Sequence, residues 1–355
     1  MLEIEFHNRE EEIQEITNIL TGRPDLITFV YGPINSGKTE LFNHVINTLP
    51  EDFVVFYINL RERLVRDYND FIEALFEINE NRKKKLVKEV VAEVTRFAGI
   101  PISRALLDQF FKEGKPKNAF RYIVEVVKEV KSNGKISVLI LDELQKIGDV
   151  KIDDYLIYEL FNLFIRLTKE MHSCHVFAVS SDSLFIERVY SEAMLHGRCR
   201  YLLVDDFDYD TAKAFLENYG FSGREVELAL NYFGGKPIYL VEAVKNRHRL
   251  REFCGEMLSS RRSEIAQALK LLKELGDEVV IRGKMYEVEY EKVISALKEL
   301  AVKEQLPNIV DEVTKRYLVR ENIVFVDPVR GILKFQSKLD LLAVREVLGL
   351  MFDGG

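Results

Sequence analysis

Residues 32–39 read Gly-Pro-Ile-Asn-Ser-Gly-Lys-Thr and satisfy G-x-x-x-x-G-K-[ST] at every fixed position. An apolar, strand-like run (Leu26 to Tyr31) precedes them and a helical pattern follows. That context predicts a nucleotide-binding P-loop. Glycine lets the backbone turn tightly, so that its N–H groups face phosphate oxygens at the positive end of the next helix. Gly32, Pro33, Ile34, Asn35, Ser36, Gly37, Lys38, Thr39 and Glu40 are the candidate cradle. Lys38 is expected to reach the β- and γ-phosphates, and the Thr39 hydroxyl to bind Mg²⁺. The predicted cofactors are ATP or ADP with Mg²⁺.

Short β-branched runs alternate with helical segments around that loop: Leu26–Tyr31, Phe53–Asn59, Ile136–Leu141, Val176–Ser181 and Tyr201–Val204. Such alternation predicts an α/β fold with a parallel sheet and crossover helices. The stretch 68–131, interrupted at Gly99-Ile-Pro101 and Gly114-Lys-Pro116, is too long for one crossover and reads as a helical insertion. The 355 residues, 47% of them apolar, suffice for two or three domains. The expected division is a P-loop domain over 1–205, a helical lid and basic linker over 206–262, and a winged-helix domain over 263–355. Three helices and the strands Ile323–Val326 and Ile332–Phe335 carry the last assignment.

The run Ser137-Val-Leu-Ile-Leu ends in Asp142-Glu143, two carboxylates at the carboxyl end of an apolar strand. Ligands of open α/β sheets bind at that edge. Asp142 is therefore the candidate Mg²⁺ partner beside Thr39, and Glu143 the candidate base that polarises the attacking water. The alternative for the pair is a helix cap. The next strand ends in Ser180-Ser181, where a hydroxyl can sense the γ-phosphate or merely cap a helix. Arg198, after Gly197, offers a guanidinium for transition-state charge within the chain or across a subunit interface. The turn Gly234-Gly-Lys-Pro237 permits close backbone approach and places Pro237 as a candidate for the adenine face.

Charge limits the partners. The net charge is −8, so attraction to nucleic acid or anionic lipid has to be local. Residues 245–262 hold six basic side chains against Glu252 and Glu256, whereas 265–355 carry 14 Lys+Arg and 15 Asp+Glu. A winged helix so poor in net positive charge is weak phosphate-binding material. An unidentified protein partner is favoured, DNA through the winged helix and basic linker is the alternative, and an oligomer is compatible. No apolar run approaches a bilayer span and the acidic start MLEIEFHNRE has no signal-peptide core, so a cytoplasmic protein without membrane contact is expected. Cys174, Cys199 and Cys254 are odd in number and dispersed, so neither a disulfide framework nor a structural zinc site is indicated.

The succession Phe6-His-Asn-Arg-Glu10, GPINSGKT, LILDE, VFAVSS, LHGR and GGKPIYL resembles the archaeal ATPase family of the STAND branch of P-loop NTPases, relatives of AAA+ origin-recognition proteins. The likeness spans nearly the whole chain. It implies that Arg9 and Pro237 border the base, that Ser180 or Ser181 is the sensor, and that Arg198 is the arginine of the family's Gly-Arg motif. It also implies slow hydrolysis with tightly held ADP as an off state. Asn8 stands where the family has Gly, a replacement that tolerates positive φ. The combined reading is an ATP-hydrolysing switch acting on a C-terminal winged helix, with an ATP-regulated DNA-binding protein as the alternative. A small-molecule kinase fits less well, because Glu143 supplies the water-activating group such an enzyme avoids.

Overall fold

The structure, a computed structural model, describes residues 4–62, 65, 67–78, 95–114, 116–147, 156–281, 283–308 and 310–350. Its first part contains strands β1 (Ile27–Tyr31), β2 (Phe53–Asn59), β3 (Phe76–Ile78), β4 (Arg96–Phe97), β5 (Ile100–Ile102), β6 (Ile136–Asp142), β7 (Cys174–Ser180) and β8 (Cys199–Leu203). Six of them form one parallel sheet in the order β4-β2-β6-β7-β1-β8. Its strands are almost continuously apolar because both faces are covered. Successive side chains alternate between faces, so Phe29, Phe56, Leu139 and Ala178 pack on one side and Val30, Val55, Ile140 and Phe177 on the other. Helices α1 (Glu10–Thr21) and α2 (Lys38–Thr48) cover the second face through Ile16, Leu20, Leu41 and Phe42.

The segment expected to be a helical insertion is mixed. Helices α3 (Tyr68–Leu75), α4 (Arg104–Glu113) and α5 (Pro116–Ser132) pack on the first face, but β4 extends the main sheet and β3 pairs with β5 in parallel. Gly99-Ile-Pro101 thus enters a strand and does not interrupt a helix. All three residues of β5 are buried, as in a short strand covered on both faces. Residues 79–94 of that expectation lie outside the described residues. Helices α6 (Leu156–Ile165) and α7 (Ser183–Ser191) complete this part.

Helices α8 (Tyr209–Asn218), α9 (Gly223–Phe233) and α10 (Pro237–Lys245) form a lid around Phe215, Leu230, Phe233 and Leu240. The expected basic linker is not a linker. Residues 250–262 are the first half of α11 (Leu250–Leu275), a 26-residue helix that runs through the expected boundary at 262. It contributes Phe253 and Cys254 to the lid core and Ile265, Leu269 and Leu272 to the C-terminal core. A helix anchored in two cores acts as a strut. Most of its charges, and those just before it, are paired: Lys245 with Glu242, Arg247 with Glu225, Arg249 with Glu256, Arg261 with Asp340 and Glu264, and Arg262 with Glu346.

The C-terminal part adds the hairpin β9 (Glu278–Ile281) and β10 (Lys284–Glu287), helices α12 (Tyr290–Lys303), α13 (Glu312–Arg320) and α14 (Lys338–Val347), and strands β11 (Gln305–Pro307), β12 (Val324–Asp327) and β13 (Ile332–Phe335). The last three strands form an antiparallel sheet in the order β11-β13-β12. The first hairpin and β11 are absent from the sequence-based expectation. This part is docked on the parallel sheet: Phe325 enters its core and stacks on Tyr31, whose hydroxyl donates to buried Asp327 at 2.8 Å.

Candidate functional site

The loop between β1 and α2 turns at Gly32, where φ is 158° and an added Cβ would meet the Val204 carbonyl oxygen at 2.0 Å. Only glycine fits there. Asn35 and Gly37 take φ of 60° and 92°, and no side chain caps the N-terminus of α2. The first N–H groups of that helix have no intrahelical acceptor and face the cleft as donors for an anion. Lys38 is buried, and its Nζ donates to the carbonyls of Gly32 (3.0 Å) and Pro33 (2.8 Å). Burial, with a further push from Lys236, lowers its pKa from the ordinary lysine value to about 8, while Glu143 and Asp142 oppose the shift. A buried ammonium beside the uncapped N–H groups at the start of α2 is a site that an anion completes.

At the end of β6, Asp142 Oδ2 accepts from Thr39 Oγ1 and from the Tyr57 hydroxyl, each at 2.8 Å. Two hard oxygens, one hydroxyl and one carboxylate, are held together beside the phosphate cradle. This donor set suits Mg²⁺, which binds through one or two protein oxygens and shares its other positions with phosphate and water. Among the described residues no group of three or more His, Cys, Asp or Glu could hold a metal ion.

Glu143 has φ of 62°, a left-handed conformation that costs a non-glycine residue about 1 kcal/mol or more. Its carboxylate is clamped by Arg61 Nη2 and by Gln145 Nε2, both at 2.5 Å. Gln145 in turn accepts from Ser180 Oγ at 2.8 Å and donates to Ser181 Oγ at 3.3 Å. The two serines differ in setting. Ser180 is 1% exposed and Ser181 lines the cleft, so Ser181 is the hydroxyl that faces a ligand. Neither caps the next helix, because Asp182 accepts from the N–H groups of Leu184 and Phe185.

A cleft of about 340 Å³ collects Asn35 to Glu40, Asp142, Glu143, Arg61, Ser181 and, from the lid, Pro237. Pro237 opens α10 and stands over the P-loop with Ile238 and Val241. Arg9 lies elsewhere. Asn8 and Arg9 both take positive φ, 57° and 79°, and the Arg9 guanidinium donates to the carbonyls of Ser36 and Asp205 at 2.7 Å while stacking on Phe207. It lines a different cavity of about 840 Å³ and ties the N-terminus to the back of the loop. Arg198 is farther still. It precedes β8, whose Cys199 is in register with Ile27, so it sits at the opposite edge of the sheet from the loop that follows Tyr31. Five strand residues, about 17 Å, separate the two edges. Its guanidinium donates to the Met194 carbonyl, and its action on this chain's own P-loop is excluded.

Four residues escaped the sequence analysis. Arg61 and Gln145 bracket Glu143; Arg61 was legible as a cation just past the end of β2. Lys236, 3% exposed, donates to the Ile34 carbonyl at 3.1 Å and pairs with Asp206 at 2.8 Å. Gln336, at the end of β13, accepts from the Ile34 N–H at 3.2 Å. No local signal marks that contact, which joins positions 302 residues apart.

Comparison with known proteins agrees with this architecture. A family model described as an ATPase domain predominantly from Archaea matches residues 6–243. The chain belongs to this archaeal ATPase family. A second model, the C-terminal domain of MJ1010-like ATP-binding proteins, matches residues 251–348. An uncharacterized ATP-binding protein of Pyrococcus abyssi (strain GE5 / Orsay) is 48% identical over 353 residues, covering 98% of this chain and 99% of that one. Another, from Methanocaldococcus jannaschii, is 44% identical over 364 residues, covering 97% and 98%. The solved structure of a Walker-type ATPase of Pyrococcus abyssi overlays with a TM-score of 0.63 at 16% identity, over 96% of each chain, and shares the fold. As an archaeal ATPase-family member the chain carries the P-loop sheet of ATP-binding proteins. Among its described residues no helix is long and apolar enough to cross a membrane.

Proposed function

We propose that this archaeal ATPase is a Mg²⁺-dependent ATP-binding and ATP-hydrolysing switch in which nucleotide state sets the position of the C-terminal domain. The observation that carries the reading is the bond from the Ile34 N–H, inside the P-loop, to Gln336 of the C-terminal domain. A ligand shifts a two-state equilibrium only through differential contact with the two states, and this contact supplies one. We read the C-terminal domain as a winged helix, with α12, β11, α13 and the β12–β13 hairpin in sequence.

In the mechanism, the N–H groups at the start of α2 and Lys38 would hold the phosphates, and Thr39 and Asp142 would hold Mg²⁺. The ion would offset phosphate charge and fix the terminal group. Glu143 is the base that orients water, and its clamp by Arg61 and Gln145 keeps it from doing so until the clamp is exchanged, in keeping with slow turnover. Ser181 reads the terminal phosphate. Pro237, with Ile238, supplies the lid surface against the nucleotide. Arg198 is kept as a residue that acts across a subunit interface.

Nucleotide-free protein should gain thermal stability from MgATP or MgADP. At a hundredfold excess over Kd the gain is about 2.7 kcal/mol, roughly 5–10 °C in a melting scan. Lys38→Ala should abolish that shift. An unchanged melting temperature in wild-type protein would reject the assignment.

A further inference from the structure

Between the P-loop domain and the C-terminal domain lies a cavity of about 650 Å³ that the mechanism above does not use. It meets the P-loop cleft at Arg61, Glu143 and Ser181, which line both. The P-loop domain supplies Arg61, Lys146 and Leu184 to its walls, and the C-terminal domain supplies Val279, Val280 and Arg316. Several donors in those walls are unspent. Lys146 is exposed and pairs with no carboxylate among the described residues. The Arg61 side chain reaches Glu143 through Nη2, and that of Arg316 reaches Glu312 through Nε, so the other guanidinium N–H groups of both have no acceptor among the described residues. Arg320, by contrast, is committed to Asp277, Glu321 and the Glu278 carbonyl.

The apolar part of the lining decides the kind of occupant. Val279 and Val319 are buried, but Val280 is left 61% exposed. An exposed aliphatic side chain beside unspent cationic donors matches a ligand that carries carboxylates and an apolar group together. An acidic peptide has that chemistry. Nucleic acid fits less well, because none of the described lining residues is aromatic, so bases have no ring to stack on, and Glu143, Asp182 and Glu278 in the same walls repel a run of phosphates. We propose that this cavity docks an acidic segment of a partner protein, with one or two carboxylates meeting Arg61, Lys146 and Arg316 while a neighbouring aliphatic side chain packs on Val280. A segment seated there touches both domains at once. The site stands apart from the nucleotide reading, and binding to it is measured without turnover.

The test is fluorescence anisotropy of the full chain with fluorescein-labelled hexapeptides in which Asp or Glu alternates with Leu, Val or Ile, against the same panel with Lys in place of the acids. The acidic panel should bind, more weakly as salt rises, and the lysine panel should not. Val280→Asp and Lys146→Glu each put a like charge at an exposed lining position, and each should weaken the best peptide roughly 10-fold or more. Val302→Asp is the matched control: that valine is also 61% exposed but does not line the cavity, so affinity should stay within about twofold. Absence of binding by every acidic peptide, or equal loss in Val280→Asp and Val302→Asp, overturns the proposal. Oligothymidylate that binds more tightly than every acidic peptide and is weakened by the same two lining variants would assign the cavity to nucleic acid, and overturns it too.

Discussion

Glu143 combines a left-handed backbone with a doubly held carboxylate at the end of an apolar strand. Strain of that kind persists where the surroundings impose it, and it concentrates at functional positions. Glu143→Gln keeps the shape and hydrogen-bonding reach but removes the base. Single-turnover hydrolysis should drop by about 10²–10⁴-fold while ATP affinity stays the same. Equal turnover would take Glu143 out of the mechanism. A second residue acts on stability instead. His175, at the far end of β7, is 3% exposed, and its Nε2 finds no hydrogen-bond partner among the described residues. Burial, helped by Arg200, lowers its pKa to about 4. The unfolded chain takes up this proton near pH 6.5, whereas the folded chain resists it until about pH 4. Stability from this group is thus complete above pH 6.5 and falls as the pH drops towards 4, by up to ~3 kcal/mol. His175→Leu should flatten the change in urea midpoint between pH 7 and pH 4.5; the same slope in the variant would assign it to other groups.

Among the elements, the turn before α10 and the strut α11 determine how the lid is held. A Cβ on Gly235 would lie 1.7 Å from the Phe207 carbonyl oxygen, part of the segment that leads into the lid. Gly235→Ala must push backbone apart and should cost about 2 kcal/mol or more. Gly255, within α11, has nothing within 4 Å of its added Cβ, so Gly255→Ala should stabilise by roughly 0.5–1 kcal/mol through helix propensity. Melting temperatures moving in opposite directions would bear out both environments, and a tolerated Gly235→Ala would contradict the packing described. The strands flanking the P-loop were legible because buried parallel strands are continuous apolar runs with turn residues at their ends. The strands within 76–102 were not, since two or three residues are too few for a period to register. Nor was α11: its charge excess suggests a solvated linker until partners distant in sequence, Glu225, Asp340 and Glu346, are seen to neutralise it. At the site, the P-loop and the Asp142-Glu143 pair could be read locally. Arg9 and Arg198 lie away from this cleft, a placement that could not be read locally because strand direction and cavity membership are properties of the assembled sheet.

Over the whole molecule the C-terminal domain is fastened to the P-loop domain by contacts of several kinds. Lys334 holds Asp205, Lys315 and Asn308 hold Glu187, Asp327 holds the Tyr31 hydroxyl and Gln336 holds Ile34. The cations of α13 are paired, Lys315 with Glu187 across the domain contact and Arg316 with Glu312 and Arg320 with Asp277 within the C-terminal part. A helix so paired has little left for phosphates. The ADP-bound protein should therefore bind duplex DNA no better than nonspecifically, with Kd about 10⁻⁴ M or weaker at physiological salt. Tight, salt-sensitive binding in a fluorescence-anisotropy titration would restore the DNA alternative. The central claim is that nucleotide state moves the C-terminal domain. Its most direct test is electron–electron double resonance between spin labels on exposed Glu51 and Val302, with half-buried Cys199 replaced by Ser and the other two cysteines buried. The distance distribution with ADP should differ from that with ATP held by Glu143→Gln, the docked contacts giving the narrower of the two. Identical distributions in both nucleotide states would make the C-terminal domain a fixed part of the scaffold and contradict the switch.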